Sequence, residues 1–89
     1  MAVLNGGSGL GHIAATKGMQ LAIQKAKEVG TGTVAVKRGQ HYGAAGVYAL
    51  MAVEAGVIGY TTTSTGPATV AAYGSRHPAV ANNAFAWGV

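Results

Sequence analysis

The sequence contains no cysteine, and only two of its 89 residues, Glu28 and Glu54, are acidic. The absence of cysteine excludes disulfides, thiolate nucleophiles and cysteine-ligated metal sites. Charged residues make up 9% of the chain, whereas soluble domains carry roughly 25%. So few charged residues cannot cover the surface of a free-standing domain, and a chain this short forms only a small hydrophobic core. We therefore predict one partial domain, residues 1–89, that is covered by the rest of a larger protein or by a partner subunit.

The chain also lacks a hydrophobic run that is long enough to cross a membrane. The longest apolar stretch, residues 44–55, is interrupted by Gly46 and Glu54, and a spanning helix needs roughly 20 apolar residues. The first residues, MAVLNGGSG, have neither the basic region nor the long apolar region of a secretory signal. We expect a cytoplasmic protein with no membrane partner.

Basic residues outnumber acidic ones, and the formal net charge is +4. Nucleic-acid modules usually gather their cations on one face and add aromatic residues for stacking, whereas the six Lys and Arg residues here are scattered. The three histidines, His12, His41 and His77, do not have the i, i+3 or i, i+4 spacing of a metal site. We expect neither a nucleic-acid partner nor a bound metal.

Hydrophobic periodicity predicts an α/β fold. An amphipathic helix covers residues 12–29 and ends at Gly30, and a second helix, residues 44–55, is apolar nearly all round. Predicted strands occupy residues 2–4, 33–37 and 57–63, a last strand lies within 81–89, and 74–78 is assigned to a loop. The order strand-helix-strand-helix-strand indicates helices packed on a small mixed sheet.

The glycine-rich run NGGSGLGH, residues 5–12, raises the possibility of a dinucleotide fingerprint. Its glycines do not satisfy the G-x-G-x-x-G spacing, and no acidic residue follows on a strand about 20 positions later. A tight turn before a helix explains the run better. His12, in the first helical turn, is interpreted as a neutral surface or capping residue.

His41, in the stretch KRGQHYGAAGVYA, is the candidate catalytic residue. It follows a predicted strand, on the side where open α/β sheets bind ligands, and it precedes a helix N-terminus whose free N–H groups attract anions. Such a position favours a neutral imidazole, which can accept a proton from a substrate hydroxyl. A loop histidine without a chemical role remains the alternative from the residues alone.

Several motifs in the same order and spacing give the chain a family resemblance. NGGSGLGH, AKEVG, VAV, HYGAAGVYA and TSTGP resemble the central part of the malate/L-lactate dehydrogenase family. These NAD(P)-dependent 2-hydroxyacid oxidoreductases include malate, lactate, sulfolactate, ureidoglycolate and diketogulonate dehydrogenases and are distinct from Rossmann-type enzymes. The resemblance covers nearly all of the chain and implies that it is part of a larger cofactor-binding domain.

The resemblance implies that His41 is the acid or base, and that Thr65 and Asn83 contact NAD or NADP. The substrate would be a 2-hydroxy or 2-keto acid such as malate or lactate. Family members are several times longer, with a Ser-His-Gly segment, a substrate-binding arginine and a C-terminal portion that this sequence does not contain. We expect the isolated chain to be inactive, with the remainder of an enzyme or further copies in a homo-oligomer, such as a homodimer, as partners. An inactive nucleotide-binding or interaction module that assembles through the apolar helix is the alternative.

Overall fold

The computed structural model describes residues 1–89 and has an α/β fold, as predicted. Two helices lie among short strands. In chain order the elements are β1 (Ala2–Asn5), α1 (Gly11–Val29), β2 (Val34–Lys37), α2 (Ala45–Glu54), β3 (Gly59–Thr62), β4 (Val70–Ala71), β5 (Pro78–Val80) and β6 (Phe85–Gly88). Neither helix has the length and apolar character needed to cross a lipid bilayer.

The strands form three separate pairs instead of one continuous mixed sheet. β1 and β2 are parallel, in register from Ala2 opposite Val34 to Asn5 opposite Lys37, as expected for two strands that are joined by a helical crossover. β3 and β6 are antiparallel. β4 and β5 form an antiparallel hairpin. Both parallel and antiparallel pairs are therefore present, but β2 and β3 do not pair with each other.

Helix α1 packs against the β1–β2 pair at Gly18. A Cβ atom placed on Gly18 would lie 3.4 Å from Val36 and 3.6 Å from Val34, which is already van der Waals contact. The helix ends at Gly30, whose φ of 91° is in the left-handed region and whose N–H donates to the carbonyl of Ala26. These contacts fix β1, α1 and β2 as one packed unit.

Helix α2 forms the small core with β3 and β6. The buried hydrophobic residues of the chain are Tyr48, Ala49 and Ala52, all on this helix. Gly59 and Gly88 allow the strands to approach, since a Cβ atom on either glycine would lie within 2.7 Å of the Ala49 carbonyl oxygen. The face of α2 that packs against β3 and β6 is thus buried, while Val47 and Leu50 on this helix remain 58% and 55% exposed.

The β4–β5 hairpin corrects one prediction. Residues 74–78 were predicted to be a loop; residues 74–77 do lie in the turn between β4 and β5, but Pro78 is already the first residue of β5. The turn contains Gly74 at a φ of 79°, and the Ser75 hydroxyl accepts the N–H of His77 at 3.2 Å. Residues 64–80 are all exposed. The pairing was missed because strands of two and three residues carry almost no alternation.

Candidate active site

The predicted catalytic histidine lies in the loop between β2 and α2, residues 38–44, which we call the histidine loop. His41 is in the middle of this loop and not at the last residue of the strand, since β2 ends at Lys37 and α2 begins at Ala45. The loop contains two positive φ angles, 54° at Arg38 and 80° at Gly43. The backbone therefore passes from a strand to a helix, as predicted, but the loop of residues 38–44 separates His41 from both elements.

The start of α1 supports the histidine loop. A Cβ atom on Gly11 would lie 2.7 Å from the carbonyl carbon of His41 and even closer to the carbonyl oxygen of Gln40. Because real Cβ atoms do not approach other atoms so closely, the loop requires glycine at this position. The glycine-rich run before α1 thus has a packing role: it lets the backbone carrying His41 lie directly against the helix start.

His12 also contacts the histidine loop. A Cβ atom on Gly43 would lie 2.7 Å from His12 Nε2, so the imidazole of His12 occupies the space beside this glycine. His12 is exposed, as expected for a surface residue, and makes no capping hydrogen bond at the start of α1. Sequence reasoning did not place His12 beside the His41 loop, because the two lie on different elements.

The side chain of His41 is exposed and makes one hydrogen bond within the chain. The backbone N–H of Gly43 donates to His41 Nδ1 at 3.0 Å. Since Nδ1 is the acceptor, a neutral imidazole in this conformation carries its proton on Nε2. The lone pair that can take a proton is therefore on Nδ1, and the Gly43 N–H occupies it in the free chain.

Two tyrosines that the sequence analysis did not single out pack against each other, Tyr42 in the histidine loop next to His41 and Tyr48 in α2. The rings of Tyr42 and Tyr48 stack with centroids 5.0 Å apart and planes 13° apart, and the Tyr48 hydroxyl donates to the Tyr42 carbonyl. Burial, and secondly the neighbouring Tyr42, raise the pKa of Tyr48 above its ordinary value. The hydroxyl oxygen of Tyr42 is buried and has no hydrogen-bond partner. The available sequence signal was a pair of tyrosines on either side of the small residues that open α2.

The two predicted cofactor residues lie on adjoining segments. The Thr65 hydroxyl accepts the N–H of Asn82 at 3.1 Å, and the backbone N–H of Thr65 donates to the Asn82 carbonyl at 3.2 Å. The contact from the Thr65 hydroxyl to that same carbonyl is 3.4 Å, longer than the 2.5–3.0 Å that is usual for such bonds. These bonds continue the β3–β6 pairing and place Thr65 beside Asn82, the residue before Asn83.

A cleft of roughly 1320 Å³ opens between α1, β2 and β3, and we call it the central cleft. Gln40, Tyr42 and Asn83 line it. The structure therefore brings the histidine loop and Asn83 to one cavity. His41 and Thr65 are not among the lining residues, although each adjoins one in sequence. No group of three or more His, Cys, Asp or Glu residues could hold a metal ion.

Comparison with known proteins identifies the family to which a chain with this fold and this arrangement of residues belongs. The family model described as malate/L-lactate dehydrogenase matches residues 1–89. The chain belongs to the malate/L-lactate dehydrogenase family, which confirms the resemblance seen in its motifs.

Individual relatives agree with this assignment. The malate dehydrogenase of Pyrococcus abyssi is 50% identical over 66 residues, which cover 74% of this chain and 18% of that protein. The malate/(S)-sulfolactate dehydrogenase of Methanothermus fervidus is 44% identical, covering 97% of this chain and 25% of that protein. The solved malate dehydrogenase of Pyrococcus horikoshii OT3 superimposes with a TM-score of 0.79 at 40% identity, over 93% of this chain and 24% of that one. The chain thus spans about a fifth to a quarter of these relatives.

Proposed function

We propose that this chain is the part of a 2-hydroxyacid dehydrogenase that carries the acid-base histidine and part of the cofactor site. The reaction would be hydride transfer between a nicotinamide cofactor and a 2-hydroxy or 2-keto acid such as malate, lactate or sulfolactate. The main support is the family match over residues 1–89, together with the histidine loop held against the start of α1 at the side of a cleft. Cytoplasmic location and assembly as a homo-oligomer, such as a homodimer, belong to the same proposal.

His41 is the proposed acid-base group. In the oxidative direction the substrate hydroxyl would replace the Gly43 N–H as the donor to Nδ1, and His41 would accept its proton there. Exchanging one neutral hydrogen bond for another costs little, because a typical bond contributes only about 0.5–1.5 kcal/mol net. In the reductive direction the doubly protonated ring would no longer accept the Gly43 N–H and would return the proton to the carbonyl oxygen. Acid-base assistance of this kind is worth roughly 10² to 10⁴-fold in rate.

The donor set near the central cleft fits a nicotinamide cofactor, NAD or NADP, which when bound would accept or supply the hydride at C4 of its ring. Asn83 lines the cleft, and the amide of its side chain offers both a donor and an acceptor. Thr65 would keep accepting the Asn82 N–H while its hydroxyl hydrogen, only weakly engaged at 3.4 Å, turns to the cofactor. We therefore propose Asn83 and Thr65 as cofactor-contacting residues.

A chimeric enzyme tests this function directly. In it, this sequence replaces the matching quarter of Pyrococcus horikoshii malate dehydrogenase, to which it is 40% identical. We expect NAD- or NADP-dependent oxidation of malate, lactate or sulfolactate by the chimera, and little or none by the isolated chain. A folded chimera that binds NADH but turns over none of these acids would contradict the catalytic proposal and favour an inactive nucleotide-binding module. Turnover by the isolated chain would overturn the need for the remaining polypeptide.

A further inference from the structure

We propose that the backbone N–H of Gly43 is a second catalytic group, which donates a hydrogen bond to the carbinol or keto oxygen of the substrate, and that Tyr48 positions it through the Tyr42 carbonyl. This inference deepens the proposed function and rests on it, because the substrate oxygen must meet His41 Nδ1. The peptide group between Tyr42 and Gly43 makes a hydrogen bond at each end, and its geometry leads to this assignment.

The peptide group between Tyr42 and Gly43 is held at both ends. The Tyr48 hydroxyl donates to its carbonyl oxygen, and its N–H donates to His41 Nδ1 at 3.0 Å. The chain has no cis peptide bond, and in a trans peptide the C=O and N–H bonds point in opposite directions. By fixing the carbonyl on one side, Tyr48 therefore directs the N–H toward His41 on the other side.

Tyr48 is suited to be the fixed end of this arrangement. It is buried in the small core on α2, and its ring stacks on the ring of Tyr42. Burial raises the pKa of Tyr48 above its ordinary value, so the hydroxyl keeps its proton at neutral pH and stays a donor. A donor on the Tyr42 carbonyl also polarises the peptide group and makes its N–H a stronger donor, because linked hydrogen bonds strengthen one another.

His12 restricts the same peptide group from the side of α1. The edge of its ring faces Gly43, where a Cβ atom would lie 2.7 Å from His12 Nε2 and 3.1 Å from Cδ2. The φ of Gly43 is 80°, in a region where glycine has much conformational freedom. A ring packed against Gly43 limits that freedom, so the N–H keeps its direction.

The substrate oxygen would meet this N–H at His41. A hydroxyl that donates to Nδ1 places its oxygen about 3 Å from that nitrogen, and the Gly43 nitrogen is itself 3.0 Å from Nδ1. Two atoms beside the same lone pair are close neighbours. When Nδ1 takes the hydroxyl proton, the Gly43 N–H loses its acceptor in the chain, and the substrate oxygen is an acceptor within its reach.

A donor at this place acts where charge develops during the reaction. In oxidation the hydroxyl proton passes to His41 Nδ1 and the hydride leaves the carbinol carbon for the nicotinamide, while the Gly43 N–H keeps its proton and stabilises partial negative charge on the oxygen. In reduction the same hydrogen bond polarises the keto group toward hydride addition. Backbone donors that are oriented in advance stabilise such charge effectively.

Replacing one backbone N–H by oxygen tests the assignment. In the chimeric enzyme defined above, glycolic acid in place of Gly43 converts the peptide into an ester, which removes the N–H and no side chain. We expect kcat to fall by roughly 10²-fold, the lower end of the effect of losing one oxyanion donor. The Kd for NADH should stay within about twofold, which also verifies that the variant is folded. The same replacement at Gly46, in the first turn of α2, is the matched control and should leave kcat unchanged.

Tyr48→Phe separates positioning from packing. The substitution keeps the ring that stacks on Tyr42 and removes the donor to the carbonyl, so kcat of the chimera should fall by roughly two- to tenfold. In the isolated chain the NMR signal of the Gly43 amide proton should move upfield as its bond to Nδ1 weakens. Tyr73→Phe, which removes a fully exposed hydroxyl, should change neither value.

The outcomes distinguish this inference from the proposed function. If the Gly43 ester keeps its kcat, or loses no more than the Gly46 ester, while His41→Ala is inactive, the Gly43 N–H has no catalytic role and the proposed function stands. If His41→Ala keeps its kcat, the proposed function fails and this inference fails with it. A Gly43 amide signal that does not respond to Tyr48→Phe would contradict the positioning role of Tyr48.

Discussion

Substituting Gly11 by alanine tests whether the start of α1 holds the histidine loop in place. The added Cβ atom would lie 2.7 Å from the His41 carbonyl carbon and closer still to the Gln40 carbonyl oxygen. Both neighbours are backbone atoms, so the loop itself must move. Overpacking of this kind typically costs about 1–3 kcal/mol, and 1 kcal/mol corresponds to a shift of about 4–8 °C in Tm for a domain of this size.

Gly46→Ala provides the matched control. A Cβ atom at Gly46 meets nothing within 4 Å, and alanine is favoured over glycine in a helix by up to about 1 kcal/mol. Thermal unfolding should therefore show a lower Tm for Gly11→Ala and an equal or higher Tm for Gly46→Ala. The NMR signals of the His41 ring should shift only in Gly11→Ala. Equal melting temperatures for Gly11→Ala and Gly46→Ala would contradict the close packing of the histidine loop against the start of α1.

Two further predictions concern side chains of the histidine loop and its neighbour on α2. Tyr48→Phe should lower the free energy of unfolding by about 0.5–1.5 kcal/mol at pH 8, because the bond to the Tyr42 carbonyl is lost. Burial raises the pKa of Tyr48 in the folded state, so the stability that Tyr48 contributes is complete below about pH 10, the ordinary tyrosine range, and declines above it because the unfolded chain loses its proton first. Urea titrations should therefore show that the free energy of unfolding falls less at alkaline pH in Tyr48→Phe than in the unsubstituted chain. Equal decreases in the two proteins would contradict the assignment. The ¹⁵N spectrum of neutral His41 should show the Nε2–H tautomer because Nδ1 accepts the Gly43 N–H, and a predominant Nδ1–H form would remove that hydrogen bond.

Local patterns in the sequence were sufficient for the elements with clear periodicity. The apolar spacing before Gly30 placed α1 within one residue of its observed start, and the β-branched run at 33–37 contained β2. The order of strand and helix around His41 was also correct, because turn and helix signals there are local. The fold class followed from this order.

Pairing between distant strands could not be predicted in the same way. The register of β3 with β6 joins residues that are far apart in the chain, and nothing in either segment specifies whether β2 or β6 is the neighbour of β3. The hairpin of β4 and β5 was missed because its strands are only two and three residues long. Long-range pairing depends on packing against α2, which periodicity does not report.

The details of the candidate site depended on close approaches in three dimensions. Thr65 and Asn83 came from the family resemblance, whereas His41 was already a candidate from its place between a predicted strand and a predicted helix. The roles of all three residues remain predictions. Gly11 lies against the histidine loop and His12 lies beside Gly43, and both are contacts between different elements. The missing hydrogen-bond partner of the Tyr42 hydroxyl likewise depends on the three-dimensional packing. Sequence spacing contains no signal for such contacts.

Turnover by His41→Ala in the chimeric enzyme tests the central claim most directly, with His77→Ala, an exposed residue of the β4–β5 turn, as the control. We predict that kcat of His41→Ala falls by roughly 10² to 10⁴-fold while the Kd for NADH stays within about twofold, because the imidazole moves a proton and does not bind the cofactor. His77→Ala should leave both values unchanged. A kcat for His41→Ala equal to that of His77→Ala would contradict the account.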